Sequence, residues 1–416
     1  MPADKGKERF FTPPLIIIFL TVFIDLVGFG IIIPILPFYA NNPPFNATPF
    51  EIGLLWAVYS WMQFFFAPLL GRLSDRYGRR PILFLSILGS AVGFLVMGVA
   101  ESLLVLFVGR VIGGVTGANI STAQAYIADV TTREQRAKGM GLFGAAFGFG
   151  FILGPAIAGL LSPYGVHVPF YFAAALAFVN AIALFFFLPE SRKQSEAEPV
   201  RRKGRFEDLA MMFSERKFTL VNLTYFLLVT AFSIMTYAFV LFTSYRYGYG
   251  ASENGYIFTF LGVISVVCQG LVFGVLAKYF GESRLTIAGC IIMAATLFSM
   301  PFIGPAAGGL AALLMIGALL TFGNSMASPA LTSLVSKISS EEEQGKALGI
   351  MQSGASLARA IAPMIGGVLL NNATGSLDNS TISRTFQAAS AIMVVAAIAA
   401  IYTHGSFSGE LGKNVD

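Results

Sequence analysis

The sequence predicts an all-α polytopic membrane protein, with twelve transmembrane helices in two pseudo-symmetric six-helix bundles. Three observations carry that prediction. The 416 residues are 56% hydrophobic and only 12% charged, with a mean hydropathy of +0.73, where a soluble chain carries about 25% charged residues. Apolar runs of about 20 residues, each long enough to cross a ~30 Å hydrocarbon core, recur along nearly the whole chain. Two stretches of the chain also repeat each other.

In chain order the apolar runs place spans at 14–39, 51–71, 81–100, 103–130, 137–161, 169–188, 218–245, 253–276, 284–303, 308–336, 346–371 and 382–403. Several exceed the length a vertical helix needs, which implies tilt or extension beyond the bilayer. The polar opening MPADKGKERF is followed by no small-residue cleavage site, so no cleaved signal peptide is expected. The longest polar segment, PESRKQSEAEPVRRKGRFEDLAMMFSERK, parts the sixth span from the seventh. The expected organisation is therefore an N-terminal bundle over 1–188, a linker over 189–217 and a C-terminal bundle over 218–416. FEDLAMMF within the linker is expected to form a short helix on the membrane surface. Cys268 and Cys290 both sit in apolar runs and imply no disulfide framework.

Orientation follows from the 27 lysines and arginines. Only Arg246 and Arg384 fall on one side, and Arg110 and Arg359 lie inside spans. All the others share the side of both termini, which the positive-inside rule makes cytoplasmic. The net charge of +5 is that bias, and no nucleic-acid partner is needed to explain it.

The repeat is clearest where EQRAKGMGLFGAAFGFGFILGPAIAG meets EEQGKALGIMQSGASLARAIAPMIGG. Glu134, Lys138, Gly141, Pro155 and Gly159 recur as Glu342, Lys346, Gly349, Pro363 and Gly367. GRLSDRYG, from Gly71 to Gly78, has a weaker echo in GVLAKYFG, from Gly274 to Gly281. Parallel six-span repeats are the architecture of transporters with a site between the halves near the midplane.

The loop GRLSDRYGRRP carries five charges in eleven residues. It resembles the loop 2–3 signature of the major facilitator superfamily. DLVGFGIIIPILP, from Asp25 to Pro37, resembles the first-span motif of the twelve-span drug/proton antiporters in that superfamily. GRVIGGVTG and GFILGPAIAG resemble their fourth- and fifth-span motifs, although Ala158 replaces a glycine. YIADVT is similar to the tetracycline/proton antiporters. The resemblance covers both halves. It implies that Gly71, Asp75, Arg79, Arg80 and Asp129 form a conformational latch, with Asp75 meeting the start of the eleventh span while the outside is open. A solvated basic loop serving topology alone is the other reading. The resemblance also puts Gly150, Gly154, Pro155 and Gly159 on a helix that seals the contact between the halves, whereas on the residues alone they are packing devices.

Asp25 is the misfit of the first span. A carboxylate at the centre of an apolar helix costs about 2.5–3.5 kcal/mol on insertion scales. Burial favours the neutral acid and a nearby cation favours the carboxylate. Arg110 is the expected cation, on a stripe of polar or small residues running through Gly114, Gly117, Ser121 and Gln124. Asp25 alternates between a protonated and a charge-paired state, carrying protons, or the two form a permanent bridge between spans one and four, or Arg110 is structural while Asp25 alone titrates.

Arg359, in ASLARAIAP, has no acid on its own helix. It either attracts an anionic or zwitterionic substrate or hydrogen-bonds to carbonyls, lipid headgroups or Asp25. Tyr59, Gln63, Asn324, Gln352 and Gln124 are further in-span polar groups. Phe29 and Tyr237 are candidate aromatic lining of an apolar pocket. His167 and His404 match no metal spacing, and no nucleotide loop or nucleophile triad appears. No metal, cofactor or enzymatic activity is expected.

The expected function is a proton-coupled antiporter that exports small amphipathic organic compounds, drug-like or lipid-like, by alternating access. Its expected partners are protons, such a substrate (anionic or zwitterionic) and membrane lipids, and it is expected to work as a monomer in the plasma membrane. A proton/solute symporter, a lysolipid-type transporter and a non-transporting receptor or scaffold are the rivals. The resemblance to tetracycline pumps implies a histidine in span eight and an acid in span nine. Here 256–277 has no histidine and 285–302 no acid, which argues against tetracycline itself.

Overall fold

The computed structural model describes residues 12–132, 135–191, 216–339, 344–372 and 376–411. Among them, twelve helices are long and apolar enough to cross a bilayer. They are α1 (Pro13–Asn41), α2 (Pro49–Tyr77), α3 (Arg79–Gly98), α4 (Leu103–Val130), α5 (Lys138–Tyr164) and α6 (Val168–Phe187), then α7 (Lys217–Tyr247), α8 (Ala251–Phe280), α9 (Glu282–Phe302), α10 (Gly309–Ile338), α11 (Ala347–Leu370) and α12 (Asn379–His404). The chain is a multi-pass membrane protein. Large apolar side chains such as Leu104, Phe187 and Leu271 stay exposed, a surface that water would penalise and lipid covers. The FEDLAMMF segment, at 206–213, lies outside the described residues.

Local chemistry fixes several helix ends. Thr48 and Glu51 form a reciprocal capping box at the start of α2: the Glu51 amide donates to Thr48 Oγ1 at 3.3 Å, and the Thr48 amide to Glu51 Oε2 at 2.8 Å. Asp378 Oδ1 accepts the Ser380 and Thr381 amides at the start of α12, both at 2.8 Å. Two helices are interrupted inside the membrane. A 3₁₀ turn over Gly117–Asn119 breaks α4, and a π turn over Cys268–Val272 breaks α8.

The halves mirror one another. Gly78 and Gly281 stand immediately before α3 and α9 with φ of +101° and +76°, a region in which a Cβ would be strained. Arg79, the first residue of α3, pairs with Asp129 near the end of α4 at 3.2 Å. Glu282, the first residue of α9, pairs with Lys337 near the end of α10. The two pairs occupy matching places with the signs exchanged.

Between the halves, α2 packs on α11 and α5 on α8. A Cβ on Gly255 of α8 would lie 2.6 Å from the Pro155 carbonyl and from Gly159 Cα of α5. One on Gly53 of α2 would collide with the Pro363 carbonyl and lie 3.3 Å from Gly367 Cα of α11. The repeated Pro and Gly of the sequence thus build two equivalent seams. Both lie at the face opposite the termini.

Toward the face that carries both termini (the basic face) the seams part. A Cβ added at Gly141 or Gly144 of α5, Gly270 or Gly274 of α8, or Gly349 or Gly354 of α11 would meet nothing within 4 Å. Open space therefore flanks α5, α8 and α11 toward the basic face. Gly255→Leu is expected to wedge the closed seam apart, because overpacking costs about 1–3 kcal/mol. Maleimide labelling of a cysteine placed at Gly349 should then fall by roughly 5- to 100-fold.

Candidate functional site

Asp25 points into the N-terminal half. Its surroundings include Leu83 and Ile87 of α3, Asn119 and Ala123 of α4 and Phe143 of α5. The Asn119 amide donates to Asp25 Oδ2 at 3.5 Å, a long and weak contact. Sequence reading missed Asn119, whose only signal is an amide at an interruption of a glycine-rich helix.

Arg110 is not paired with Asp25, so a permanent bridge between them is corrected here. Arg110 is 1% exposed, and its Nε donates to the Leu55 carbonyl at 2.9 Å. Its guanidinium lies 4.3 Å from the Tyr59 ring centroid and 5.7 Å from that of Trp56. Nη1 and Nη2 find no hydrogen-bond acceptor among the described residues. A carbonyl and two aromatic faces stabilise this cation, and α2 takes the place expected for Asp25.

Tyr59 and Gln63 form a unit on α2. Gln63 Nε2 donates to the Tyr59 hydroxyl at 3.1 Å and to the Gly117 carbonyl at 2.9 Å. Phe29, one turn beyond Asp25 on α1, packs against Tyr59 at 5.7 Å and Phe151 at 6.0 Å. Across the cavity Arg359 and Gln352 of α11 are exposed, while Gln124 of α4 and Asn324 of α10 are half-buried. The Arg359 guanidinium donates to Ser356 Oγ at 3.2 Å, and Tyr59 and Tyr225 lie within its electrostatic reach.

Tyr237 is not cavity lining. It is 1% exposed, its hydroxyl donates to the Pro49 carbonyl, and a Cβ on Gly366 would lie 2.8 Å from its ring. It is a tie among α7, α2 and α11 at the closed seam. The fifth-span motif divides as well. Gly150 and Gly154 pack on Leu26 and Gly30 of α1, whereas only Pro155 and Gly159 reach α8. The helix thus faces α8 with one side and α1 with the other.

The loop residues cluster at the basic face. Arg79 pairs with Asp75 at 2.7 Å and Asp129 at 3.2 Å, and donates to Ser74 Oγ at 2.6 Å. Glu190, which sequence reading left in the linker, accepts the Arg79 and Arg80 amides at 2.9 and 3.0 Å. It thereby caps α3 with a carboxylate where the helix dipole favours one. Ser191 donates to Asp129 at 3.0 Å, and the Arg80 guanidinium lies over Phe185 at 5.4 Å. The Gly71 carbonyl accepts from Ser74 Oγ at 2.7 Å, and a Cβ added at Gly71 would meet Ser121 Oγ at 3.9 Å.

An acid inside the N-terminal half and an exposed cation on α11 of the other half are charged side chains that this geometry sets within the spans. The family model of the Major Facilitator Superfamily matches residues 18–336 and 270–407. The chain belongs to the major facilitator superfamily. Within it, this member is 33% identical over 361 residues to the class H tetracycline resistance protein of Pasteurella multocida, covering 84% of this chain and 87% of that one. It is 34% identical over 359 residues to the class C protein of Escherichia coli, covering 84% and 88%. Multidrug resistance protein 2 of Bacillus subtilis (strain 168) is 30% identical over 363 residues, covering 86% and 88%.

Solved structures share the superfamily fold. A bacterial homologue of the human lysosomal transporter Spinster, in its inward-facing and unoccupied conformation, aligns with a TM-score of 0.78 at 14% identity, covering 97% of this chain and 99% of that one. The human organic anion transporter MFSD10 aligns with a TM-score of 0.67 at 23% identity, covering 93% and 99%.

Proposed function

We infer that this superfamily member is a proton-coupled drug-efflux antiporter for small amphipathic organic compounds, and that its structure is the state open to the cytoplasm. The bias of lysine and arginine identifies the basic face as cytoplasmic. The protein then stands in the plasma membrane as a monomer, with its bundles over 1–188 and 218–416 joined by 189–217. Tetracycline and multidrug resistance proteins are its relatives over most of their length, which supports export over uptake.

The observation that carries the reading is Asp25. Among the described residues it is an acid inside the membrane with one neutral hydrogen-bond donor and no cation bound to it. A carboxylate so placed gains little by staying ionised. A structural carboxylate would hold a cation, whereas a proton carrier needs an acid that accepts and releases its proton as access changes. Arg359 supplies the complementary preference, a cation facing the cavity that attracts an anionic or zwitterionic substrate.

In the cytoplasm-open state Asp25 releases its proton as substrate enters the cavity beside Arg359. The seams at Gly255 and Gly53 then open while the basic-face ends of α2, α5, α8 and α11 close. The latch around Asp75, Arg79 and Asp129 holds that second state. Reprotonation of Asp25 from outside returns the protein. The test is reconstitution into liposomes with an imposed pH gradient and a pH-sensitive dye. Amphipathic cations, zwitterions and anions are added in turn. Dissipation of the gradient by one class supports antiport and names that class. If every compound leaves the gradient intact, the reading is contradicted.

A further inference from the structure

The 3₁₀ turn of α4 joins the two parts of the site. At one end Asn119 holds Asp25. At the other, the Gly117 carbonyl accepts from Gln63, which also donates to Tyr59. Ala118 between them leaves helical geometry, with ψ of +16°. The fit is close: a Cβ on Gly117 would lie 2.6 Å from the Tyr59 hydroxyl oxygen and 3.3 Å from Gln63 Nε2. Tyr59 in turn lies under Arg110 and against Phe29, four residues beyond Asp25 on α1.

A 3₁₀ stretch inside a long helix often marks a hinge, and here both of its ends carry side-chain contacts. We propose that the Gly117–Asn119 turn transmits the protonation state of Asp25 to the cavity wall, with Asn119 and Gln63 as positioning residues on either end of it.

This rests on the reading of Asp25 as the proton carrier. An ionised Asp25 accepts a charge-assisted hydrogen bond from Asn119, about twice as strong as the neutral one left after protonation. The 3.5 Å contact therefore tightens or slackens with the charge of the acid. Because Asn119 and Gly117 are the two ends of one 3₁₀ turn, a shift at Asn119 carries to the Gly117 carbonyl and so to Gln63 and Tyr59. The charged or titratable groups around this path are Tyr59 on α2 and, near enough to Tyr59 to act on it electrostatically, Asp25 on α1, Arg110 on α4 and Arg359 on α11. From α3 and α5, Leu83, Ile87 and Phe143 face Asp25 and do not titrate.

The test needs no substrate. Spin labels on cysteines at Gly144 and Gly349, in a full-length chain with Cys268→Ser and Cys290→Ala, report the open and closed populations by electron–electron distance measurement across a pH series. The unaltered site should shift its open-to-closed ratio with pH, and Asp25→Asn should not. Asn119→Ala and Gln63→Leu should each cut that shift by roughly 10-fold, within the 5- to 150-fold span of couplings between sites, while both distances remain populated. Should one of these variants not fold, Gly117→Ala perturbs the same turn from the Tyr59 side and should flatten the response equally. If these variants follow the pH response of the unaltered site while Asp25→Asn is flat, the turn is not the link and only this proposal falls. If Asp25→Asn itself responds normally, the proton-carrier reading falls, and this proposal with it.

Discussion

Asp25→Asn is expected to abolish accumulation of substrate against its gradient while leaving exchange of substrate for substrate intact. For one proton per substrate, a pH difference of two units supplies about 2.7 kcal/mol, enough to hold a concentration ratio of roughly 100-fold. Asparagine keeps the size of the side chain and a partner for Asn119, but it cannot carry a proton. Accumulation in liposomes should collapse from that ratio toward unity. The variant should also be stable, since it removes an intramembrane acid to which no cation is bound among the described residues. If it accumulated substrate normally, the proton would have to travel elsewhere.

Arg359→Ala is expected to weaken binding of anionic and zwitterionic compounds and to spare neutral ones. Hydrogen bonds to charged groups contribute about 1.5–3 kcal/mol, so affinity should fall roughly 10- to 100-fold for compounds bearing a carboxylate or phosphate. Lysine at this position should restore part of the loss, keeping the charge without the planar fork. Arg359 is exposed on α11 and donates to a serine one turn away on its own helix, so the loss should reach affinity without reaching the fold. Equal weakening of neutral compounds would instead assign Arg359 to packing.

Much of the fold was legible because its signals are local. Length and apolarity marked the twelve spans. The recurrence of Pro155 and Gly159 as Pro363 and Gly367 marked the repeat, and the structure packs the two copies against Gly255 and Gly53. Charged residues outside the membrane were legible too, since Arg79 does join Asp75 and Asp129.

The rotation of each helix was not legible. A span that is apolar on every side carries no amphipathic stripe to show which face meets which neighbour. The stripe through Arg110 on α4 marks a polar face without saying which neighbour meets it, and there α2 presents a carbonyl and two rings in place of the expected Asp25. Tyr237 was placed in the cavity for the same reason and instead ties the closed seam. Asn119 depends on a break in α4 that no proline announces, and Glu190 acts on α3 from the far end of the N-terminal half.

The most direct test of the central claim, that Asp25 gives up its proton as substrate binds, is the number of protons released on binding. Once the liposome panel has identified an active compound, that compound is titrated into the purified protein by calorimetry in two buffers of different ionisation enthalpy at one pH. The account predicts net proton release for the unaltered protein and none for Asp25→Asn, with binding retained in both. Equal proton release from both proteins would contradict it.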